Sequence, residues 1–391
     1  VKYYIISGEA SGDLHGSNLV KQLRAMDPAA ELRGWGGDLL QAAGVTLVKH
    51  YRDLAFMGFA EVVKNLPTIL RNIRFCKEDI IAYQPDALIL IDYPGFNLRI
   101  AEWAKQQGFK VIYYISPQVW AWKENRVKKM KQCIDLMLCI LPFEKEYYRK
   151  KWNWDVEYVG HPLVEVIESE KLKVKIQNSD SQLLTPNSKL LTPDSRLIAL
   201  LPGSRKQEIE KKLPIMLEVA KHFPAYQFVV AKAPGLDDSF YTPFLSPYQN
   251  VDSVRNQTYN LLLQAEAALV TSGTATLETA LFGVPEVVCY KGSNISYQIA
   301  KRLISIEYIS LVNLIMDKPV VKELIQDELT VKNLVQELQM ILFDTARKAQ
   351  LQADYTKLWN LLAAGGHASA KAAEHIITFL NGTKAESPAG K

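Results

Sequence analysis

Hydrophobic positions in this chain fall in short continuous runs, not in alternation. In the first half these are Tyr3 to Ile6, Ala87 to Ile91, Val111 to Ile115, Leu136 to Ile140 and the shorter Glu157 to Val159. Helical patterns separate them, beginning with Leu19 to Met26. Continuous apolar strands alternating with helices predict a parallel sheet covered on both faces. The pattern breaks near residue 168. From there to Arg196 the chain is polar and punctuated by proline, with a near-repeat, SQLLTPN then SKLLTPD, from Ser181 to Asp194. Two copies are too few for a solenoid, so the stretch reads as an inserted mobile linker. A second alternating series then follows at Leu197 to Leu201, Gln227 to Ala231, Ala267 to Val270 and Glu286 to Cys289. Beyond Val331, Leu334, Leu338, Ile341 and Leu342 form a stripe at helical spacing, either core or a dimer surface.

The predicted architecture is α/β, with two Rossmann-like parallel-sheet domains facing a central cleft and a helical C-terminal segment. The expected boundaries are 1–167 for the first domain, 168–196 for the linker and 197–340 for the second domain. C-terminal helices would occupy 341–380 and a disordered tail 381–391.

Composition narrows the classes. The 391 residues are 48% hydrophobic and 23% charged, as in a globular protein. A net charge of +4 gives no reason to expect a nucleic-acid partner. Cys76, Cys133, Cys139 and Cys289 form no CxxC pair and have no histidines at ligand spacing, so buried thiols in a reducing cytosol are expected, without a zinc site. No apolar run reaches the ~20 residues of a spanning helix, and the N-terminus enters a strand without a signal-peptide pattern. Membrane contact would therefore be peripheral.

Five stretches carry candidate chemistry, most of them directly after a strand, where open α/β sheets bind ligands. SGEASGDLHG, Ser7 to Gly16, is not GxGxxG. Its Glu9 and Asp13 would repel a pyrophosphate but suit sugar hydroxyls or a base role, with Ser11 between them; Asp13 could alternatively cap a helix. In IDYPGFNLR, Asp92 can accept a proton from an attacking hydroxyl and Asn97 can orient a sugar, unless Asp92 is a helix cap. Trp120 and Trp122 of SPQVWAW are stacking platforms or core, and the basic residues after them are a headgroup site or a solvated face.

In LLPGSRKQEIE, the backbone of Gly203 and Ser204 together with Arg205 suits a diphosphate, and the missing Lys-Ser/Thr ending disfavours ATP hydrolysis. In TSGTATLETALFGVP, Ser272, Gly273 and Thr274 open a helix as a second anion seat. Glu278, one turn on, is a ribose clamp or a surface residue. No DxD-like pair stands out, so neither a metal nor another cofactor is expected.

Seven motifs in order, SGEASGD, ID-x-P-x-FN, SPQVWAW, LPFEK, VGHP, LPGSR and SGTATLE, resemble the lipid-A-disaccharide synthase family of inverting GT-B glycosyltransferases. The resemblance implies UDP-2,3-diacylglucosamine as donor and 2,3-diacylglucosamine 1-phosphate (lipid X) as acceptor. The products would be a β-1′,6-linked disaccharide 1-phosphate and UDP. It implies Asp92 as the general base, with Glu9 as competitor. It also implies UDP contacts at Arg205, Ser272, Thr274, Glu278 and Asn313, the last in SLVNLI. A homodimer with exchanged helices is compatible with it. Two departures stand out. Gly95 replaces a frequent acidic residue, and the 168–196 insert is longer than the family leads one to expect.

Acylated substrates call for an apolar surface. Within Phe56 to Phe75, Leu66, Ile69, Leu70 and Ile73 share a helical face flanked by Lys64, Arg71 and Arg74. This is the pattern of an interfacial helix on anionic lipid, or of an ordinary amphipathic helix on its own sheet. A cytoplasmic protein on the inner-membrane surface is the expectation. The rival readings are a UDP-N-acetylglucosamine 2-epimerase-like enzyme of the same fold and a non-catalytic nucleotide-sugar or lipid-binding protein.

Overall fold

A computed structural model describes residues 1–54, 66–121, 123–179, 196–292 and 307–385. The chain divides into two compact units, one of Val1–Pro162 with the chain from Leu362 onward, the other of Leu163–Leu361.

The first unit runs β1 (Lys2–Ser7), α1 (Ala10–Met26), β2 (Glu31–Gly36), α2 (Asp38–Ala42), β3 (Thr46–His50), α3 (Leu66–Tyr83), β4 (Ala87–Ile91), α4 (Pro94–Gln106), β5 (Lys110–Tyr114), α5 (Arg126–Cys133), β6 (Leu136–Cys139), α6 (Glu144–Trp152) and β7 (Glu157–Tyr158). The sheet order is β3-β2-β1-β4-β5-β6-β7, and every pairing is parallel. The continuous apolar runs follow from burial on both faces. Tyr4, Ile6, Leu88, Leu90 and Tyr113 pack into one core, while Tyr3, Ile5, Ile89, Ile91 and Tyr114 pack into the other.

The second unit, apart from the first residue of α7 and the last two of α14, runs α7 (Pro162–Ser179), β8 (Leu197–Leu201), α8 (Lys206–Ala220), β9 (Gln227–Lys232), α9 (Asp238–Leu245), β10 (Val251–Arg255), α10 (Thr258–Leu262), β11 (Ala265–Thr271), α11 (Thr274–Leu281), β12 (Glu286–Tyr290), α12 (Leu311–Met316), β13 (Lys322–Ile325), α13 (Val331–Phe343) and α14 (Thr345–Ala363). Its sheet order is β10-β9-β8-β11-β12-β13, again all parallel. The last helix, α15 (Ala368–Ala385), belongs to the first unit, where Ala368, Ala372, Ala373, Ile376 and Leu380 complete the second core.

Several expectations change. The stretch expected to be a linker from residue 168 is helical as far as Ser179, because α7 continues through good helix formers; the near-repeat lies outside the described residues. The stretch expected to be a tail is helical as far as Ala385. The α13 stripe is core, with Leu334, Leu338, Ile341 and Leu342 all buried, and α13 packs on α8 and on the sheet. The four cysteines are buried.

Candidate functional site

Each sheet reverses its strand order once, between β1 and β4 in the first unit and between β8 and β11 in the second. Ligand crevices of doubly wound sheets open at the carboxyl ends of the strands flanking such a switch point. Glu9 and Asp92 follow β1 and β4, and Gly203–Arg205 and Ser272–Thr274 follow β8 and β11. Four of the five motif stretches therefore sit where the topology makes room for a ligand.

In the first unit Asp92 and Tyr93 both adopt left-handed backbone, with φ of 44° and 50°. Such strain persists only where the surroundings fix it, and it concentrates at functional sites. Here the Asp92 carbonyl accepts hydrogen bonds from the Tyr113 hydroxyl at 2.6 Å and Asn97 Nδ2 at 2.8 Å, while its amide donates to the Tyr114 carbonyl at 3.1 Å. The Tyr93 ring covers Gly8, where a Cβ would stand 2.3 Å from ring carbon Cδ1. The Asp92 carboxyl is raised to about 7, first by burial and then by the charge of Glu9. A carboxyl tuned in this way can take a proton near neutral pH.

Other expected first-unit residues have different work. The buried Asp13 does not cap its own helix. Its carboxylate accepts from the amides of Gly37 at 2.7 Å, Leu39 at 3.1 Å and Leu40 at 3.1 Å, so it caps α2. Asn97 is fully buried and its Nδ2 donates to the Ile6, Ile91 and Asp92 carbonyls, so it supports the crevice floor from within. Ser11 is exposed on α1. Burial pulls His15 down to about 4, so it is neutral at pH 7. Trp122 lies outside the described residues. Trp120 is half-buried, set edge-on to Phe143, and donates through Nε1 to Glu144 at 3.2 Å.

Glu144 had no role assigned from the sequence. It is buried, and its other oxygen accepts from the amides of Leu141 at 2.9 Å and Ile140 at 3.2 Å. Burial lifts it to about 7 against those donors. It ties the Trp120 loop to the end of β6.

In the second unit Gly203 has φ of 116°, a conformation open mainly to glycine, and turns the chain from β8 into α8. Ser204 and Arg205 are exposed beside it. Arg205 lies 3.5 Å from Glu208. Ser272 directly follows β11, its hydroxyl donated to the Ile309 carbonyl at 3.0 Å, and Gly273 and Thr274 stand exposed at the start of α11. Glu278 accepts from the Tyr259 hydroxyl at 3.0 Å, and burial raises its carboxyl. Asn313 is turned inward. It clips the Val321 backbone with both ends of its amide, at 2.9 Å each, and donates to Glu323 at 2.9 Å. Glu323 also accepts from the amides of Ile309 and Ser310, so this pair shapes the loop that Ser272 touches.

Lys212 was not singled out in the sequence, although it lies seven residues beyond Arg205 on the same helix face. It is buried and donates to Thr271 Oγ1. Burial lowers its ammonium from the ordinary range, and Glu208 opposes that shift.

A family model described as lipid-A-disaccharide synthetase matches residues 3–377. The chain belongs to this family. Lipid-A-disaccharide synthase of Geobacter metallireducens is 39% identical over 367 residues, covering 93% of each chain. That of Syntrophus aciditrophicus is 39% identical over 382 residues, covering 96% of this chain and 97% of the relative. Solved structures share the GT-B fold at low identity. UDP-GlcNAc 2-epimerase from Neisseria meningitidis, bound to UDP-GlcNAc, gives a TM-score of 0.66 at 14% identity, covering 98% of this chain and 100% of that one. The glycotransferase of kitacinnamycin gives 0.65 at 12%, covering 97% and 99%. Fold alone therefore does not separate transferase from epimerase. Whole-length identity to the synthases does, and this family member is a glycosyltransferase.

The helix expected to face a membrane is described from Leu66 onward, and residues 55–65 lie outside the described residues. Ile73 is buried and Ile69 packs against the first core, so these two face their own sheet, as an amphipathic helix on a parallel sheet requires. The outer side carries Leu70 at 52% and Phe75 at 43% exposure, with Arg71 and Arg74 exposed. Lys49, Arg71, Asn72, Arg74, Phe75 and Glu78 line a depression of about 410 Å³. No described helix is long and apolar enough to cross a membrane.

Proposed function

We propose that the enzyme transfers 2,3-diacylglucosamine from UDP-2,3-diacylglucosamine to 2,3-diacylglucosamine 1-phosphate, giving the β-1′,6-linked disaccharide 1-phosphate and UDP. The acceptor's 6-hydroxyl oxygen bonds to the donor's anomeric carbon as the bond from that carbon to the diphosphate oxygen breaks, with inversion. Asp92 takes the hydroxyl proton, and Glu9 sets its basicity. UDP departs with the bonding pair, and its charge is met by the turns at Gly203–Arg205 and Ser272–Thr274.

The observation that carries this reading is Asp92, held at a switch point by strained backbone and poised near neutral pH beside Glu9. Glu278 is the candidate ribose clamp, and Trp120 the acceptor-side platform. The outer face of α3 is the candidate contact with an anionic lipid surface.

The deciding experiment incubates the protein with the UDP-diacyl donor and lipid X without added metal. Disaccharide 1-phosphate is then sought by mass spectrometry. Absence of that product from a folded enzyme overturns the reading, and isomerisation of UDP-GlcNAc alone would favour the epimerase-like alternative.

A further inference from the structure

The turn assigned to a diphosphate contains an apparent contradiction. Glu208 Oε2 lies 2.9 Å from the point where a Cβ on Gly203 would stand, which places a carboxylate against the turn. An anionic ligand seated there would meet a like charge. Two cations flank that carboxylate, Arg205 at 3.5 Å and Lys212 at 3.7 Å. They differ in setting. Arg205 is 57% exposed, whereas Lys212 is buried, with its ammonium also donated to Thr271, the last residue of β11. Lys212 thus reaches from the helix after the first turn to the strand end that begins the second. A buried ammonium is screened by little water, so its effect on a neighbouring carboxylate is strong.

We propose that Lys212 is a positioning residue for the leaving group: it neutralises Glu208 and pins Thr271, so that the turns after β8 and β11 accept a nucleoside diphosphate despite the carboxylate between them. This rests on the diphosphate reading of those turns. Removing Lys212 alone leaves Glu208 less compensated, and it should repel UDP. Removing both charges should restore binding. A lysine that merely fills space in the core would give no such recovery.

The test is calorimetric titration of the full chain with UDP, with uridine followed by ligand-observed NMR as the phosphate-free control. Lys212→Met is expected to weaken UDP binding at least about tenfold and to leave uridine binding unchanged. Lys212→Met/Glu208→Gln should return UDP affinity to near the wild-type value, and Lys212→Arg should keep it. Glu208→Gln alone changes a partly exposed side chain and should tighten UDP binding; this arm decides the matter if Lys212→Met does not fold. UDP binding that is unchanged in Lys212→Met, unrecovered in the double variant, or weakened by Glu208→Gln overturns the proposal while leaving the diphosphate reading intact. A wild-type protein that does not bind UDP overturns both.

Discussion

The ring of Tyr93 lies over Gly8 so closely that one added methyl group would stand 2.3 Å from it. This contact joins the loop after β1 to the loop after β4 at the switch point, and it fixes how the Asp92 backbone is presented. Replacing Gly8 with Ala must displace Tyr93, whose ring stacks on Phe96 at 5.7 Å. Overpacking of this kind costs ~1–3 kcal/mol. The expected outcome is a fall in denaturant midpoint together with a larger loss of turnover than of UDP affinity. Unchanged turnover would mean that the Tyr93 position does not matter to the chemistry.

Asp92 makes the pH profile informative. As a base it must be ionised, so turnover should fall as pH drops through about 7. Glu9→Gln removes a charge that raises Asp92, so the acid limb should move to lower pH. Asp92→Asn should cut turnover by about 10²–10⁴-fold and spare UDP affinity. Stability gives an independent check with a defined sign. Because the folded value lies above the unfolded one, Asp92 lowers stability progressively as pH rises from about 4 to about 7. Asp92→Asn should therefore raise Tm more at pH 8 than at pH 5.

Arg205 should behave differently. On the diphosphate reading proposed above, replacing it with Ala removes a charge-assisted donor to the leaving group, so turnover should fall ~10²–10³-fold. UDP affinity should fall with it, but uridine affinity should not. Equal losses for UDP and uridine would place Arg205 on the base or ribose instead.

The fold was legible where burial writes itself into the chain. β4 reads ALILI with every residue buried, and no partner need be known to recognise it. β2 reads ELRGWG and was missed, because its glycines lower strand propensity. Gly34 is nevertheless required, since a Cβ there would stand 1.9 Å from the Ile5 carbonyl oxygen. The site was legible in part for a related reason. That Asp92 ends a buried strand is local information. That Asp13 caps a helix starting at Asp38, or that Asn313 clips Val321, depends on amides brought near by folding. A polar residue in a motif looks the same on paper whether it faces a ligand or an orphan amide.

Glu144 is a second raised carboxyl, with a structural task. Its two oxygens satisfy the amides of Ile140 and Leu141 and the Trp120 indole. Glu144→Ala leaves those buried donors unpaired, at ~1–3 kcal/mol. Glu144→Gln keeps the shape and removes the charge. Since the folded value, about 7, exceeds the unfolded 4.5, stability is lost as pH rises through that window. Glu144→Gln should therefore flatten the decline of Tm between pH 5 and pH 8, which differential scanning calorimetry would read directly.

The outer face of α3 tests the membrane part of the reading. Burial of Ile73 and packing of Ile69 show that half of the apolar stripe serves the protein's own core. Leu70 and Phe75, flanked by Arg71 and Arg74, stand on the exposed side, the face proposed to meet lipid. Each basic residue near an anionic bilayer is worth about 1 kcal/mol. Arg71→Glu/Arg74→Glu should then weaken binding to vesicles containing anionic phospholipid by well over about tenfold, most strongly at low salt, and should leave binding to neutral vesicles unchanged. Arg74 also pairs with Glu78 at 2.9 Å, but an exposed pair one helical turn apart contributes little, so Tm should hold. Leu70→Ser/Phe75→Ser should lower binding to both kinds of vesicle, because the apolar contribution does not depend on headgroup charge. Vesicle binding that is indifferent to all four changes would confine α3 to packing on its sheet.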